Sequence, residues 1–210
     1  MFFYGIFINY LAKKMTHTQH TDNLDKVLSK AFTLLANGVT DSKSLFHTPT
    51  VSLLDQDTIK NRTMVLREFS PNGRMLRFHT DYRSSKIQQI NANPNASVHI
   101  YDPSEKIQIK LEGSAKLYYQ NAITQMAWKN SKEMSKACYS VPLPPGTEVD
   151  NPMLCDIEPK ELVLEDGYQN FAVLIFTFQY LEYLFLQASG HRRAKFCWKD
   201  DGFTSSWLVP

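Results

Sequence analysis

The 210-residue chain has only three cysteines, Cys138, Cys155 and Cys197, widely separated and without the paired spacing of a zinc site. With no clear secretory signal, they read as reduced structural thiols in a cytoplasmic protein. An excess of one charge is also lacking: 23 Lys+Arg against 21 Asp+Glu leave a net charge of +2. No broad basic field exists, so nucleic acid is not an expected partner. The six histidines are scattered, and no metal is expected. Long apolar runs are missing too. Met1 to Leu11 is too short to span a bilayer, and Lys13 and Lys14 follow it rather than precede it. Residues 1–20 are expected to be a dispensable extension with Met15 as the natural start, and no membrane partner is expected. Repeats and low-complexity runs are absent.

What the chain does have is 43% hydrophobic and 12% aromatic residues, enough for one substantial core. The expectation is a single domain over residues 21–210. Leu24, Val27, Leu28, Ala31, Leu34 and Leu35 fall at helical spacing, predicting a helix over Asp22–Ala36 with Asp22 as its cap and Gly38 as its end. Thr50–Leu54 reads as a strand, and Arg62–Phe69 as another that stops at the turn Ser70-Pro71-Asn72-Gly73. Met75–Thr80 returns as a hairpin arm. Ser84–Ala92 is helical, closed by Asn93-Pro94. Ala96, Val98 and Ile100 alternate with polar residues, as do Ile107, Ile109 and Leu111, giving two half-buried strands. Asn121–Lys136 is expected to be helical and Ser140–Pro159, rich in proline, a loop whose length argues for a functional lid, a dimer contact or partial disorder. Phe171–Phe178, Leu181–Leu186, His191–Trp198 and Ser205–Val209 complete a mainly β, antiparallel barrel, since closure removes exposed edges.

The candidate chemistry lies between Asn61 and Gly113. Arg62 and Arg67, five apart in one strand, would point to opposite faces and take separate tasks. In Arg83-Ser84-Ser85-Lys86, hydroxyls, a helix start and two cations suit a phosphomonoester, and a capped surface helix explains the same letters. Gln108, on a strand whose alternate face is apolar, offers an amide to a ring edge or to a cross-strand partner.

In this order the residues resemble the pyridoxamine 5'-phosphate oxidase-like FMN-binding proteins. The likeness is firm over Thr50–Tyr118 and looser over His191–Phe196 and the W-L-V-P ending. It implies a six-stranded split β-barrel with flanking helices, bound FMN, and a homodimer with the site at the subunit interface. The family's R-x-x-V-L-[KR] strand falls on Arg62, Met64, Val65, Leu66 and Arg67. Its aromatic-T-[ND]-x-x-S-x-K turn falls on His79, Thr80, Ser84, Ser85 and Lys86, and its glutamine on Gln108. The true oxidase commonly has arginine where Ser85 stands, and Arg83 would supply that charge. Lys195 matches a basic residue that touches the cofactor.

The substrate side departs from the family pattern. Its Tyr, Arg and Ser become Trp128, Lys132 and Ser135 or Lys136, and its R-L-H motif becomes His191-Arg192-Arg193. The resemblance therefore implies an oxidase-related flavoprotein in which Arg67, Trp128, Lys132, His191 and Arg193 are the substrate-binding candidates. A pyridoxamine or pyridoxine 5'-phosphate-type substrate would donate a hydride to the flavin. A non-catalytic flavin-binding protein, and a split barrel holding haem or a deazaflavin, stay open beside it.

Overall fold

The computed structural model describes residues 22–156, 163–199 and 202–210. The N-terminal extension and Ile157–Pro159 of the expected loop lie outside the described residues. The elements are α1 (Leu24–Thr40), β1 (Thr50–Asp55), β2 (Thr58–Thr63), β3 (Leu66–Ser70), β4 (Met75–Asp81), α2 (Lys86–Ala92) and β5 (Asn95–Asp102). They continue with β6 (Ile107–Tyr119), α3 (Ala122–Lys129), α4 (Glu133–Ala137), β7 (Phe171–Phe185), β8 (Arg192–Lys199) and β9 (Gly202–Leu208).

The class is the expected one, a mostly antiparallel sheet with flanking helices, with nine strands among the described residues. Pairing runs β2-β1-β5-β6-β7-β4-β3, with β8 and β9 branching from β7. One edge of β7 pairs with β6 along nearly its whole length. The other edge is shared: β4 takes Phe171–Thr177 and β8 takes Tyr180–Phe185. The sheet forks there, which is the split in the barrel.

A bulge makes the fork workable. Glu112 pairs with Tyr180 and Gly113 with Phe178, leaving Gln179 as an extra, exposed residue. Before it, Leu174, Phe176 and Phe178 face the main core; after it, Leu181, Tyr183 and Phe185 do. The inward set moves from even to odd positions because one added residue inverts a period of two. This corrects the expectation of two separate strands. Gly113 sits opposite the bulge, where a Cβ would lie 2.0 Å from the Thr177 carbonyl oxygen, so no larger residue fits.

The main core fills the inner face of the sheet, with Val51, Leu53, Val98, Ile109, Leu111 and Phe196 meeting Ala31 and Leu35 of α1. A second cluster of Ala127, Trp128, Phe171 and Val173 packs α3 on the opposite face of β7. The first half of β7 is therefore buried on both faces, which accounts for its continuous apolar run.

Several boundaries differ from the sequence reading, each for a local reason. Asn23, not Asp22, caps α1 by accepting the Lys26 N–H at 2.9 Å, while Asp22 pairs with Arg192. Gly38 lies inside α1 because Phe46 crosses there: a Cβ would meet the Phe46 carbonyl oxygen at 2.4 Å. The expected strand Arg62–Phe69 is two strands, β2 and β3, broken at Met64–Val65, where the Met64 N–H turns to the Pro49 carbonyl at 3.0 Å. Asn121–Lys136 is two helices, interrupted where Asn130 and Ser131 bond back onto α3. Its start is an Asn121–Thr124 capping box. His191 precedes β8 rather than opening it, and β9 begins at Gly202.

Candidate functional site

The hairpin β1–β2, the end of β4 and the start of α2 bring four of the expected residues together. Arg62 on β2 donates from Nη2 to Gln89 Oε1 at 2.7 Å and to Ser85 Oγ at 3.5 Å. Lys86 donates from Nζ to the buried Ser84 hydroxyl at 2.6 Å. Gln89, also buried, passes its own amide N–H to Asp55 Oδ2 at 3.0 Å, completing a relay Asp55–Gln89–Arg62. An open depression of about 430 Å³, lined in part by Asp55, Ser85, Gln88 and Gln89, lies alongside.

The electrostatics of this cluster are unbalanced. Burial and the neighbouring Arg62 charge lower Lys86 to about 8, with Asp81 opposing them. Burial also lowers Arg62, against the attraction of Asp55. Arg62 Nη1 is buried without a hydrogen-bond partner. Beside Asp55 and Asp81, the two cations, two hydroxyls and an orphaned buried donor leave hydrogen-bonding capacity for a further anion. Ser84 was expected to cap α2; Ser85 occupies that position with no side-chain cap bond, and the Ser84 oxygen serves Lys86 instead.

Arg83 goes elsewhere. Its guanidinium grips the buried Asp81 carboxylate, with Nη2–Oδ2 at 2.7 Å and Nε–Oδ1 at 3.1 Å. Its Nη1 donates to the carbonyls of Val141 and Pro142 at 3.1 and 3.0 Å. It thus straps the start of the 140–156 loop to the turn ahead of α2.

Arg67 and His79 both lie on the outer face of β3–β4, next in sequence to the core-facing Leu66 and Phe78. Arg67 is the bulged residue between Leu66 and Glu68, and its Nε is buried without a partner. His79 Nε2 is likewise buried and unpartnered, and its ring meets Phe171 edge-on at 4.9 Å. Burial, then Arg67 and Arg77, push His79 down to about 3, so the ring is neutral. Leu66, Met64 and Thr80 are buried and Val65 is half-buried beside them. Arg62 and Arg67 do take separate positions, but because they sit on different strands rather than on two faces of one.

Other expected residues lie apart. Gln108 alternates outward from Ile107 and Ile109, in register with Leu184 and through it Arg193. Lys195 pairs with Glu182 on the same outward face. Arg62, paired with the inward Val51, belongs to the other face. Arg193 is committed to the buried Glu182 at 3.0 Å, and Glu182 also accepts from the Tyr180 hydroxyl at 2.9 Å. His191 accepts the Gln187 N–H in the β7–β8 turn at 3.2 Å. Trp128 is buried in the second cluster and donates to Glu165 at 3.2 Å. Lys132 is exposed at the start of α4.

Sequence reading missed Gln89, Asp81 and Tyr139. Gln89 carried a signal, lying one helical turn after Lys86 on the same side. Asp81 acts on Arg83 only two residues on, whereas Tyr139 meets Phe171 from a distant part of the chain.

A forked antiparallel sheet with helices on both faces is the FMN-binding split-barrel fold. Residues 23–119 match the family model described as pyridoxamine 5'-phosphate oxidase, FMN-binding domain, and over this stretch the chain is similar to that oxidase-like family. It resembles a pyridoxamine 5'-phosphate oxidase-related, FMN-binding protein of Nostoc punctiforme at 21% identity, covering 87% of this chain and 96% of that one, TM-score 0.69. PhzG of Burkholderia lata, solved with tetrahydrophenazine-1-carboxylic acid, is similar at 19% identity, 78% and 82% coverage and TM-score 0.67. A Clostridium acetobutylicum protein related to general stress protein 26 of B. subtilis follows at 12%, with 80% and 93% covered and TM-score 0.53. At such identities these structures show the fold. Comparison with curated proteins finds no match.

Proposed function

We propose that the chain binds FMN and acts as an oxidoreductase on a small organic substrate. The observation that carries this reading is the anion-poor pocket of Arg62, Ser84, Ser85 and Lys86, with Arg62 Nη1 buried and unpartnered. A phosphomonoester brings close to two negative charges and three acceptor oxygens, the complement this donor set lacks. Met64, Val65, Leu66, Arg67, His79 and Thr80 would line the ring. Bound FMN supplies the hydride-accepting centre, and the side chains bind, orient and tune it. Arg67 and Lys195 are the positive groups available to offset charge that builds on the ring.

Gln108 and Lys195 occupy the face of the sheet opposite Arg62. The family resemblance, with Gln108 and Lys195 on the outward face, supports a homodimer with the site at the subunit interface, in which a second copy brings that pair to the cofactor. The three cysteines are free, in keeping with a reducing cytoplasm. No helix of the described residues is long and apolar enough to cross a membrane.

Pyridoxamine 5'-phosphate is the substrate that the family resemblance names. The engagement of Arg193 by Glu182 and of Trp128 by Glu165 favours a second reading, a flavin-binding protein without turnover of that vitamer. The deciding measurement is an absorption spectrum during FMN titration, followed by assay with pyridoxamine 5'-phosphate. Yellow, stoichiometric uptake with turnover supports the oxidase; uptake without turnover supports the second reading. A protein that takes up no FMN refutes both. Sedimentation of the loaded protein as a dimer is the matching test of assembly.

A further inference from the structure

We propose that Asp55 and Gln89 are positioning residues for Arg62, locking its guanidinium with one terminus free for a phosphate oxygen. This rests on the reading of the cluster as a phosphate pocket and deepens it, because two residues that need touch no ligand atom then govern the affinity for one.

A guanidinium only donates hydrogen bonds and an ionised carboxylate only accepts them. Held apart, the two can be bridged only by a group with both capacities. Gln89 is that group: its Oε1 accepts from Arg62 Nη2 at 2.7 Å while its Nε2 donates to Asp55 Oδ2 at 3.0 Å. Reversing the amide would set donor against donor and acceptor against acceptor. Gln89 is only 6% exposed, so water has little room to repair that mismatch. Asp55 therefore fixes which way the amide faces, and the amide fixes Arg62.

Both ends of the relay are anchored in regular structure. Asp55 closes β1, and its carbonyl accepts from the Thr58 hydroxyl at 3.0 Å across the turn. Arg62 lies in β2, in register with Val51. The guanidinium is planar and rigid, so holding Nη2 at Gln89, with Ser85 Oγ at 3.5 Å beside it, also directs Nη1. That nitrogen is buried and has no partner. Asp55, Ser85 and Gln89 all line the open depression of about 430 Å³, so the relay borders space that a ligand can enter.

The uncharged bridge matters as much as the bonds. A carboxylate at position 89 would engage the guanidinium with its own charge and compete with an anionic ligand. The amide takes one terminus, transmits the orientation set by Asp55 and adds no charge. The Asp55 charge alone would repel a phosphate, whereas its hold on Gln89 favours one. The two roles predict opposite signs when the residue is removed.

Fluorescence titration of FMN and of riboflavin on the flavin-free full chain tests this. The readout is the ratio of the two affinities, which a general loss of folding does not move. Asp55→Ala and Gln89→Ala should each weaken FMN by about threefold to tenfold, and riboflavin by less than about twofold. Asp55→Asn, whose carbonyl can still accept the amide N–H, should stay within about twofold of wild type. Gln89→Glu should weaken FMN by about tenfold or more. Adding Asp55→Ala to Gln89→Ala should cost less than about a further twofold, since the effect runs through the amide. Unchanged or tighter FMN binding in Asp55→Ala would overturn the proposal. So would equal losses for FMN and riboflavin, a loss in Asp55→Asn as large as in Asp55→Ala, or additive losses in the double variant. A wild type that binds FMN no more tightly than riboflavin overturns the phosphate reading, and this proposal with it, before any variant is compared.

Discussion

Replacing Lys86 by alanine separates the phosphate pocket from an ordinary surface helix. In the folded chain the ammonium is partly desolvated and faces Arg62, and its pKa falls from 10.5 to about 8. Such a charge opposes folding wherever it is held protonated. Its removal forfeits the 2.6 Å bond to Ser84 but also relieves the repulsion from Arg62. The flavin-free variant should therefore melt within about 2 °C of wild type or above it. Binding should change in the other direction. One charge-assisted contact to a phosphate contributes about 1.5–3 kcal/mol, so FMN affinity should fall by about tenfold to a hundredfold. Riboflavin, without the phosphate, should lose less than about threefold by the same reasoning.

The pH dependence has a definite sign. Phosphate favours protonated Lys86, so above pH 8 wild-type FMN binding must take up a proton and weakens as pH rises. The dependence should approach tenfold per unit and vanish in the variant. Stability of the flavin-free protein runs the opposite way. Its folded Lys86 binds fewer protons than the unfolded chain between about pH 8 and 10.5, so this group adds stability as pH rises through that window. Fluorescence titration of both flavins at pH 7 and 9.5 is sufficient. Equal losses for FMN and riboflavin, or a pH profile unaffected by the substitution, would refute the phosphate assignment.

Arg83→Gln should release Val141 and Pro142 while leaving the sheet intact, seen as faster proteolytic cleavage within the 140–156 loop at unchanged far-UV circular dichroism. Gly113→Ala places a methyl 2.0 Å from the Thr177 carbonyl and should destabilise by about 2–4 kcal/mol in urea, a cost set by backbone displacement. Phe176→Ala, in a fully buried position, should cost about 3–5 kcal/mol in the same assay. Arg62→Lys should weaken FMN, because a single ammonium cannot hold Gln89 and a phosphate together, and Gln89→Ala should reproduce part of that loss.

The cluster proposed for a phosphate was legible because Ser84, Ser85 and Lys86 are consecutive and sit where a strand hands over to a helix. Alternation along β5 and β6 likewise revealed their inward faces. What escaped was set mostly by pairs distant in the chain. Arg83 looked free for a phosphate, but it is engaged by its near neighbour Asp81 and by the remote carbonyls of Val141 and Pro142. Trp128 and Arg193 looked available for substrate, whereas Glu165 and Glu182 already engage them. The break at Met64–Val65 left no mark in composition, since β-branched and apolar residues continue across it.

The bulge at Gln179 makes β7 a phase shifter. Its first half divides alternate side chains between two apolar clusters. Its second half gives one set to the main core and the other, Tyr180 and Glu182, to a polar face. Changing its length by a single residue would exchange the two sets wholesale, burying Glu182 among phenylalanines. This strand can therefore tolerate changes of letter far more readily than changes of count. Variation in loop length is confined to the connections it leaves free.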